Sequence, residues 1–176
     1  MSVLIDSYSE SNYSALYGTS EDNTIGQTFT GTTSTLSSCK FYLKRMSGTE
    51  GVLTARLYAH TGTYGVSGEV IGSPLAISDE VSISSLGTDF SLVEFVFSGS
   101  NQYKLKSEYY VMVVYRPTGA STVYLGADSS SPTHSGNLVE TNNIPDADAD
   151  AIFYVYGTEP TPTVGTKYPL PAFKVA

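Results

Sequence analysis

Along this chain, side chains alternate in character with a period of two, and no other sequence feature narrows the choice of fold so far. In Leu53-Thr54-Ala55-Arg56-Leu57-Tyr58-Ala59 the odd positions are apolar, while the even positions carry Thr, Arg and Tyr. An extended strand turns successive side chains to opposite faces, so this run buries one face and wets the other. Val93, Phe95 and Phe97 repeat the stripe against Glu94, and Cys39, Phe41 and Leu43 share a third. Tyr109-Tyr110-Val111-Met112-Val113-Val114-Tyr115 is apolar on both faces, as a central strand covered on each side requires. No 3.6-residue apolar repeat persists long enough to compete.

The alternation predicts strands over Val3 to Tyr8, Ile25 to Thr30, Thr35 to Met46, Val52 to His60, Glu69 to Ser78, Leu92 to Ser98, Tyr109 to Arg116, Thr122 to Ala127, Asn137 to Thr141 and Ala151 to Gly157. Gly, Ser, Thr and Pro punctuate them at the spacing of a sandwich or barrel. The connections are too short for helical crossovers, so the strands are expected to be antiparallel and to form a two-sheet β-sandwich of jelly-roll topology. Ser47 to Gly51 is expected to close a hairpin with at least one glycine at positive φ, and His60 to Gly68 to be a surface loop. The chain divides into an N-terminal strand and loop over residues 1–24, packed on the domain or extending from it, the sandwich over 25–157, and an extended arm over 158–176.

Composition removes several classes of function. Formal charge is −8 with no basic stripe to offset it, so a phosphate backbone would meet repulsion, and nucleic acid is not an expected partner. No run approaches the roughly 18 apolar residues of a membrane span, so no membrane insertion is expected. The start MSVLIDSYSE lacks the basic and apolar regions of a secretory leader. The expected setting is synthesis in a host cytoplasm, with any release by lysis or with a virion. Cys39 stands alone in the sequence, which rules out an internal disulfide and makes it a buried, inert thiol.

Residues suited to catalysis are sparse. His60 and His134 are the two histidines, each expected as a solvated loop residue, and no nucleophile elbow of the G-x-S-x-G type occurs. Asp79, Glu80, Asp89, Glu94 and Glu108 are scattered and define no pair. No enzyme activity and no cofactor are expected. The clustered acids are Asp146, Asp148 and Asp150. Carboxylates at i, i+2 and i+4 in a loop can converge on Ca²⁺, but this run lacks the glycine and distal glutamate of an EF-hand loop, and a solvated acidic turn is the simpler expectation.

Binding is better represented. The chain has 14 Tyr, 7 Phe and no Trp. Tyrosine joins a flat apolar face to a polar rim, which suits a sugar ring or a protein surface, and it is also an ordinary strand former. Tyr42, Tyr58, Tyr154 and Tyr156 fall in outward phase, while Tyr13, Tyr17, Tyr64 and Tyr124 lie nearer loops. Tyr42, Tyr58, Tyr64, Tyr124, Tyr154 and Tyr156 are therefore the candidate contacts for a glycan or a partner. The arm holds four of the eight prolines, each of which removes a backbone donor, so it cannot join a central strand. Its segment Tyr168, Pro169, Leu170, Pro171 and Phe173 is a candidate attachment site for a partner that reads extended chain.

The order Ile25-Gly-Gln-Thr-Phe-Thr30, Leu36-Ser-Ser-Cys-Lys-Phe-Tyr-Leu-Lys44, Leu53-Thr-Ala-Arg-Leu-Tyr-Ala-His60 and Tyr109-Tyr-Val-Met-Val resembles a broad family of jelly-roll domains. They occur in bacterial and archaeal surface proteins, where they are similar to carbohydrate-binding modules, and in bacteriophage structural proteins. The likeness spans residues 25–157 and rests on pattern, not on an invariant motif. It implies a virion accessory protein, either a capsid decoration protein or a head or tail fibre component, that contacts other virion proteins and copies of itself. The alternative it implies is an extracellular module that binds cell-surface glycans.

Overall fold

The computed structural model describes residues 2–19 and 21–159. They form fourteen strands: β1 (Ser2–Tyr8), β2 (Ala15–Gly18), β3 (Asn23–Thr30), β4 (Thr35–Arg45), β5 (Val52–Thr61), β6 (Glu69–Ile77), β7 (Val81–Ser82), β8 (Ser91–Val96), β9 (Tyr109–Arg116), β10 (Val123–Asp128), β11 (Leu138–Glu140), β12 (Ile144–Asp146), β13 (Asp150–Ala151) and β14 (Phe153–Thr158). The helical elements among the described residues are single 3-10 turns. All pairings are antiparallel, in two seven-stranded sheets. One runs β1-β14-β4-β10-β13, with β8 also on β4 and β2 also on β10; the other runs β12-β11-β3-β9-β5-β6, with β7 on β5.

Period-two burial accounts for this sandwich. Phe29, Leu36, Phe41, Leu43, Leu53, Leu57, Phe95 and Phe153 are fully buried in one core between the sheets. Each such side chain contributes roughly 1.5–3 kcal/mol relative to exposure. Cys39 belongs to this core, and burial first, with Glu94 second, pushes its thiol well above the ordinary range. In the second sheet β9 lies between β3 and β5, and its Val111 and Val113 are also fully buried on the outer side, against Tyr58 and Val139. The loop after β5 lies across this outer side. Tyr64 stacks on Tyr109 at 4.1 Å, and buried Asn137 donates to the Gly68 carbonyl at 2.9 Å while accepting from its N–H at 3.2 Å.

Three expectations are corrected. Ser47 to Gly51 carries positive φ at Gly48 and Gly51, but it joins β4 of the first sheet to β5 of the second and is not a hairpin. Alternation tells which face is buried, not which sheet the next strand joins. The last strand is split at Ile152, whose N–H donates to Gly126 while its carbonyl accepts from Tyr42, so the chain passes from β10 to β4 as its neighbour. The strand Glu69 to Ser78 is interrupted: Ile71 pairs with Ala59 and Ala76 with Leu57, and the residues between, with Gly72 at φ 74° and Pro74, bow outward. β6 is an edge strand, where a proline leaves no ladder bond unmade.

Residues 1–24, where described, stay with their own domain, since β1 pairs with β14 and β2 with β10. The attachment-arm candidates Tyr168, Pro169, Leu170, Pro171 and Phe173 lie outside the described residues.

Candidate functional site

The six candidate tyrosines fall on two opposite faces. Tyr42, Tyr124, Tyr154 and Tyr156 lie on the outer side of the first sheet, because their strand neighbours Phe41, Leu43, Val123, Leu125, Phe153 and Val155 fill the core. Tyr58 and Tyr64 belong to the outer side of the second sheet. Tyr58 is only 8% exposed and forms part of a wall instead of a platform.

On the first sheet, the rings of Tyr154 and Tyr156 are parallel to within 10° with centroids 6.4 Å apart, and the Lys40 ammonium sits 5.4 Å over Tyr156. Tyr154 donates its hydroxyl to Glu10, which holds that carboxyl below its ordinary range. Further along, Phe90 stacks on Tyr42 at 5.0 Å and meets Tyr13 at 4.9 Å, with Lys44 at 4.7 Å over its ring. Leu4, Leu16, Leu92 and Val96 share this side, as their pairing with Tyr156, Gly126, Tyr42 and Ser38 dictates, and all are exposed. Phe90 stands in the connection directly before β8, outside any alternating run, so the sequence pattern gives it no phase.

The second sheet presents a polar groove. The Arg56 guanidinium lies 3.4 Å over the Tyr115 ring, and two cavities of about 250 and 220 Å³ adjoin this stack. The first is walled by Asp22, Asn23, Asn143, Tyr58 and Val70, the second by Val52, Thr54, Glu80 and Pro117. The corner of the first cavity is conformationally costly. Asp22, Asn142 and Asn143, at φ 51°, 66° and 59°, are the non-glycine residues with positive φ among those described. Side chains hold them there. The Asn23 side-chain amide donates to Asn142 Oδ1 at 2.8 Å, the Thr24 hydroxyl donates to Asn143 Oδ1 at 3.0 Å, and the Tyr115 hydroxyl donates to Asp22 at 2.9 Å. Bonds from Thr118 first and Tyr115 second hold the Asp22 carboxyl below its ordinary range. Left-handed Asp and Asn are signals that a sequence does not display.

The acidic run does not gather. Asp146 accepts from the Tyr17 hydroxyl at 3.3 Å and from the Asp148 N–H at 2.9 Å. Asp150 instead turns inward, 1% exposed, and accepts from Gln27 at 2.8 Å and from the His134 N–H at 2.9 Å. The three share one phase, so alternation does not separate them; Asp150 is set apart because it stands where β13 pairs with β10, beside Gln27 and the His134 N–H. Among the described residues no three His, Cys, Asp or Glu side chains come together as a metal site. Glu140 lies beside Asp146, and its carboxyl is raised by burial first and by its hydrogen bond to Asp146 second. Burial, followed by the charges of Asp146 and Glu140, pushes the Tyr17 hydroxyl up to about 12.

Neither histidine is a solvated loop residue. The His134 side chain is 8% exposed, its Nδ1 accepts from the Gly136 N–H at 3.0 Å, and its Nε2 lies 3.1 Å from Asp6. An accepting Nδ1 places the ring proton on Nε2, where it is donated to Asp6. His60 packs edge-on to Tyr64 and Tyr109, and burial lowers its pKa. It borders a hollow of about 480 Å³ with Tyr103 and Glu108.

Compared with known protein families, curated proteins and solved structures, the chain matches none.

Proposed function

We propose that this chain is an accessory structural protein of a bacteriophage particle, a capsid decoration protein or a component of a head or tail fibre, and that it binds without turnover. The observation that carries the binding part is the outer side of the first sheet, where exposed leucines and valine surround two groups of tyrosines. Monomeric proteins seldom leave a contiguous apolar face uncovered, and such a face marks an interaction surface. Aromatic side chains interleaved with a few cations have the composition of a protein–protein contact. The particle setting is supported by the resemblance of the strand order to phage structural proteins and by the proline-punctuated arm. In this reading the arm and the aromatic face hold the chain to other virion proteins, leaving the polar groove turned outward.

The test is incorporation. Particles assembled with a chain lacking residues 160–176, and separately with Tyr154→Ser and Tyr156→Ser together, are purified and their content of this chain is measured by mass spectrometry. Each change is expected to reduce incorporation at least about tenfold while the isolated domain stays folded. Unchanged incorporation of both variants would overturn the attachment mechanism.

A second reading, an extracellular carbohydrate-binding module, is favoured by the groove of the second sheet. Amide, carboxylate and guanidinium groups line it beside aromatic walls, and sugars need planar polar partners for their hydroxyls and apolar surface for their C–H faces.

A further inference from the structure

We infer that the groove over the Arg56–Tyr115 stack is a saccharide site, and that it, not the exposed tyrosines of the first sheet, is where this chain would recognise a glycan. The inference deepens the carbohydrate-binding reading and rests on it. Its starting point is the concentration of strain. Left-handed Asp and Asn cost free energy that the surrounding structure must hold, and such residues cluster where a ligand needs them. Here all three described examples sit at one corner, and Asp22 and Asn143 line the cavity itself.

Arg56 adds an independent observation. Among the described residues it forms no ion pair, although the protein is acidic. It lies flat over Tyr115, where stacking and the tied Tyr115 hydroxyl fix its orientation before any ligand arrives. A preorganised guanidinium presents a planar fork of donors suited to vicinal hydroxyls or a carboxylate.

The shape selects among ligands. The two cavities adjoin one stack, so a short saccharide can place successive rings on either side of Arg56. A peptide added as a strand would need a sheet edge, whereas this groove lies on a sheet face. Nucleic acid is disfavoured by the −8 charge. Tyr58 and Val70 supply the apolar wall, and Asn23, Asn143 and Asp22 the acceptors and donors.

The test uses the intact chain on a printed array of bacterial O-antigen and capsular polysaccharides with soluble plant and animal oligosaccharides, followed by calorimetric titration of the strongest binder. Arg56→Lys keeps the charge and removes the planar fork. Asn143→Gly removes the amide and tolerates the left-handed backbone. Each is expected to weaken binding at least about tenfold, with thermal melts confirming that both fold. Tyr154→Ser with Tyr156→Ser is expected to leave affinity within about twofold, because it lies across the core. An array blank for every probe would overturn this site together with the carbohydrate-binding reading. Binding that survives both groove changes but disappears with the tyrosine pair would overturn the site alone.

Discussion

Asp128 and Asp150 sit in one buried polar cluster and answer acid in opposite senses. Burial alone would raise Asp128, yet hydrogen bonds from Ser130, Ser14 and Tyr8 outweigh it and hold the carboxyl well below its ordinary value of 3.8. A carboxyl depressed on folding stabilises the folded state above its unfolded pKa, and that contribution is lost as pH falls through the folded value. Asp150 is raised, by burial first, against bonds from Gln27 and the His134 N–H. Its contribution is therefore greatest below 3.8 and is lost as pH climbs through the raised value. Asp128→Asn is expected to flatten the fall in urea midpoint below about pH 4, and to cost about 1–3 kcal/mol at pH 7 by leaving buried donors without an acceptor. An unaltered acid limb in denaturant titrations would contradict this account. Gln27 is the joint of the same cluster, with its Oε1 accepting from Ala151 at 2.7 Å and its Nε2 donating to Asp150. Gln27→Leu is expected to cost about 3–5 kcal/mol, because it strands a buried carboxylate. Gln27→Glu should cost more than Gln27→Leu in the same urea series above pH 6, since it sets a second charge beside the first.

Between elements, backbone approach matters as much as side-chain pattern. A side chain at Gly26 would have its Cβ 2.0 Å from the Met112 carbonyl oxygen, so β3 and β9 can lie this close only with glycine there. At Gly72, in the outward bow of β6, a Cβ would meet nothing within 4 Å, and the sole obstacle is φ 74°. Gly26→Ala is accordingly expected to lower the thermal midpoint by more than about 10 °C or to prevent folding, whereas Gly72→Ala should cost about 1 kcal/mol, a shift of roughly 2–4 °C. Equal effects would show that strain, not contact, sets both. These two glycines mark the limit of what was legible beforehand. Strands β1, β3, β4, β5, β8, β9 and β10 could be read because alternating burial is written into residue type. The short β2, β7 and β12 carry too few residues to show a period, and the bow of β6 could be read only as a proline inside a run. Tyr42, Tyr154 and Tyr156 could be assigned to an outer side by phase. The groove could not, because Asp22, Tyr115, Arg56 and Asn143 come from four distant segments that only the pairing of β3, β5 and β9 brings together.

As a whole the molecule is two unlike surfaces on one core. The groove side is covered at its centre, with Val111 and Val113 sealed beneath Tyr58 and the loop that carries Tyr64, and its exposed apolar residues Ile71 and Ile77 stand on the edge strand β6. The opposite side is uncovered: Leu4 is 54%, Val96 45% and Leu92 37% exposed. If those three serve folding, replacing them should destabilise the domain; if they serve association, it should not. Their partners across the strands are Tyr156, Ser38 and Tyr42, and each therefore borders the tyrosine groups instead of the interior. We expect Leu4→Ser, Leu92→Ser and Val96→Thr together to cost under about 1.5 kcal/mol, since surface changes stay near 0.5 kcal/mol each. The same triple variant should lose most binding of an environment-sensitive apolar dye and most retention on a hydrophobic column. Phe95→Ser, in the strand that carries Leu92 and Val96 but fully buried, should instead cost more than about 3 kcal/mol. A triple variant as unstable as Phe95→Ser would make the exposed side part of the fold and remove it as a contact surface. A stable variant that no longer retains the dye would separate the two roles by experiment, as alternate positions of one strand separate them in space.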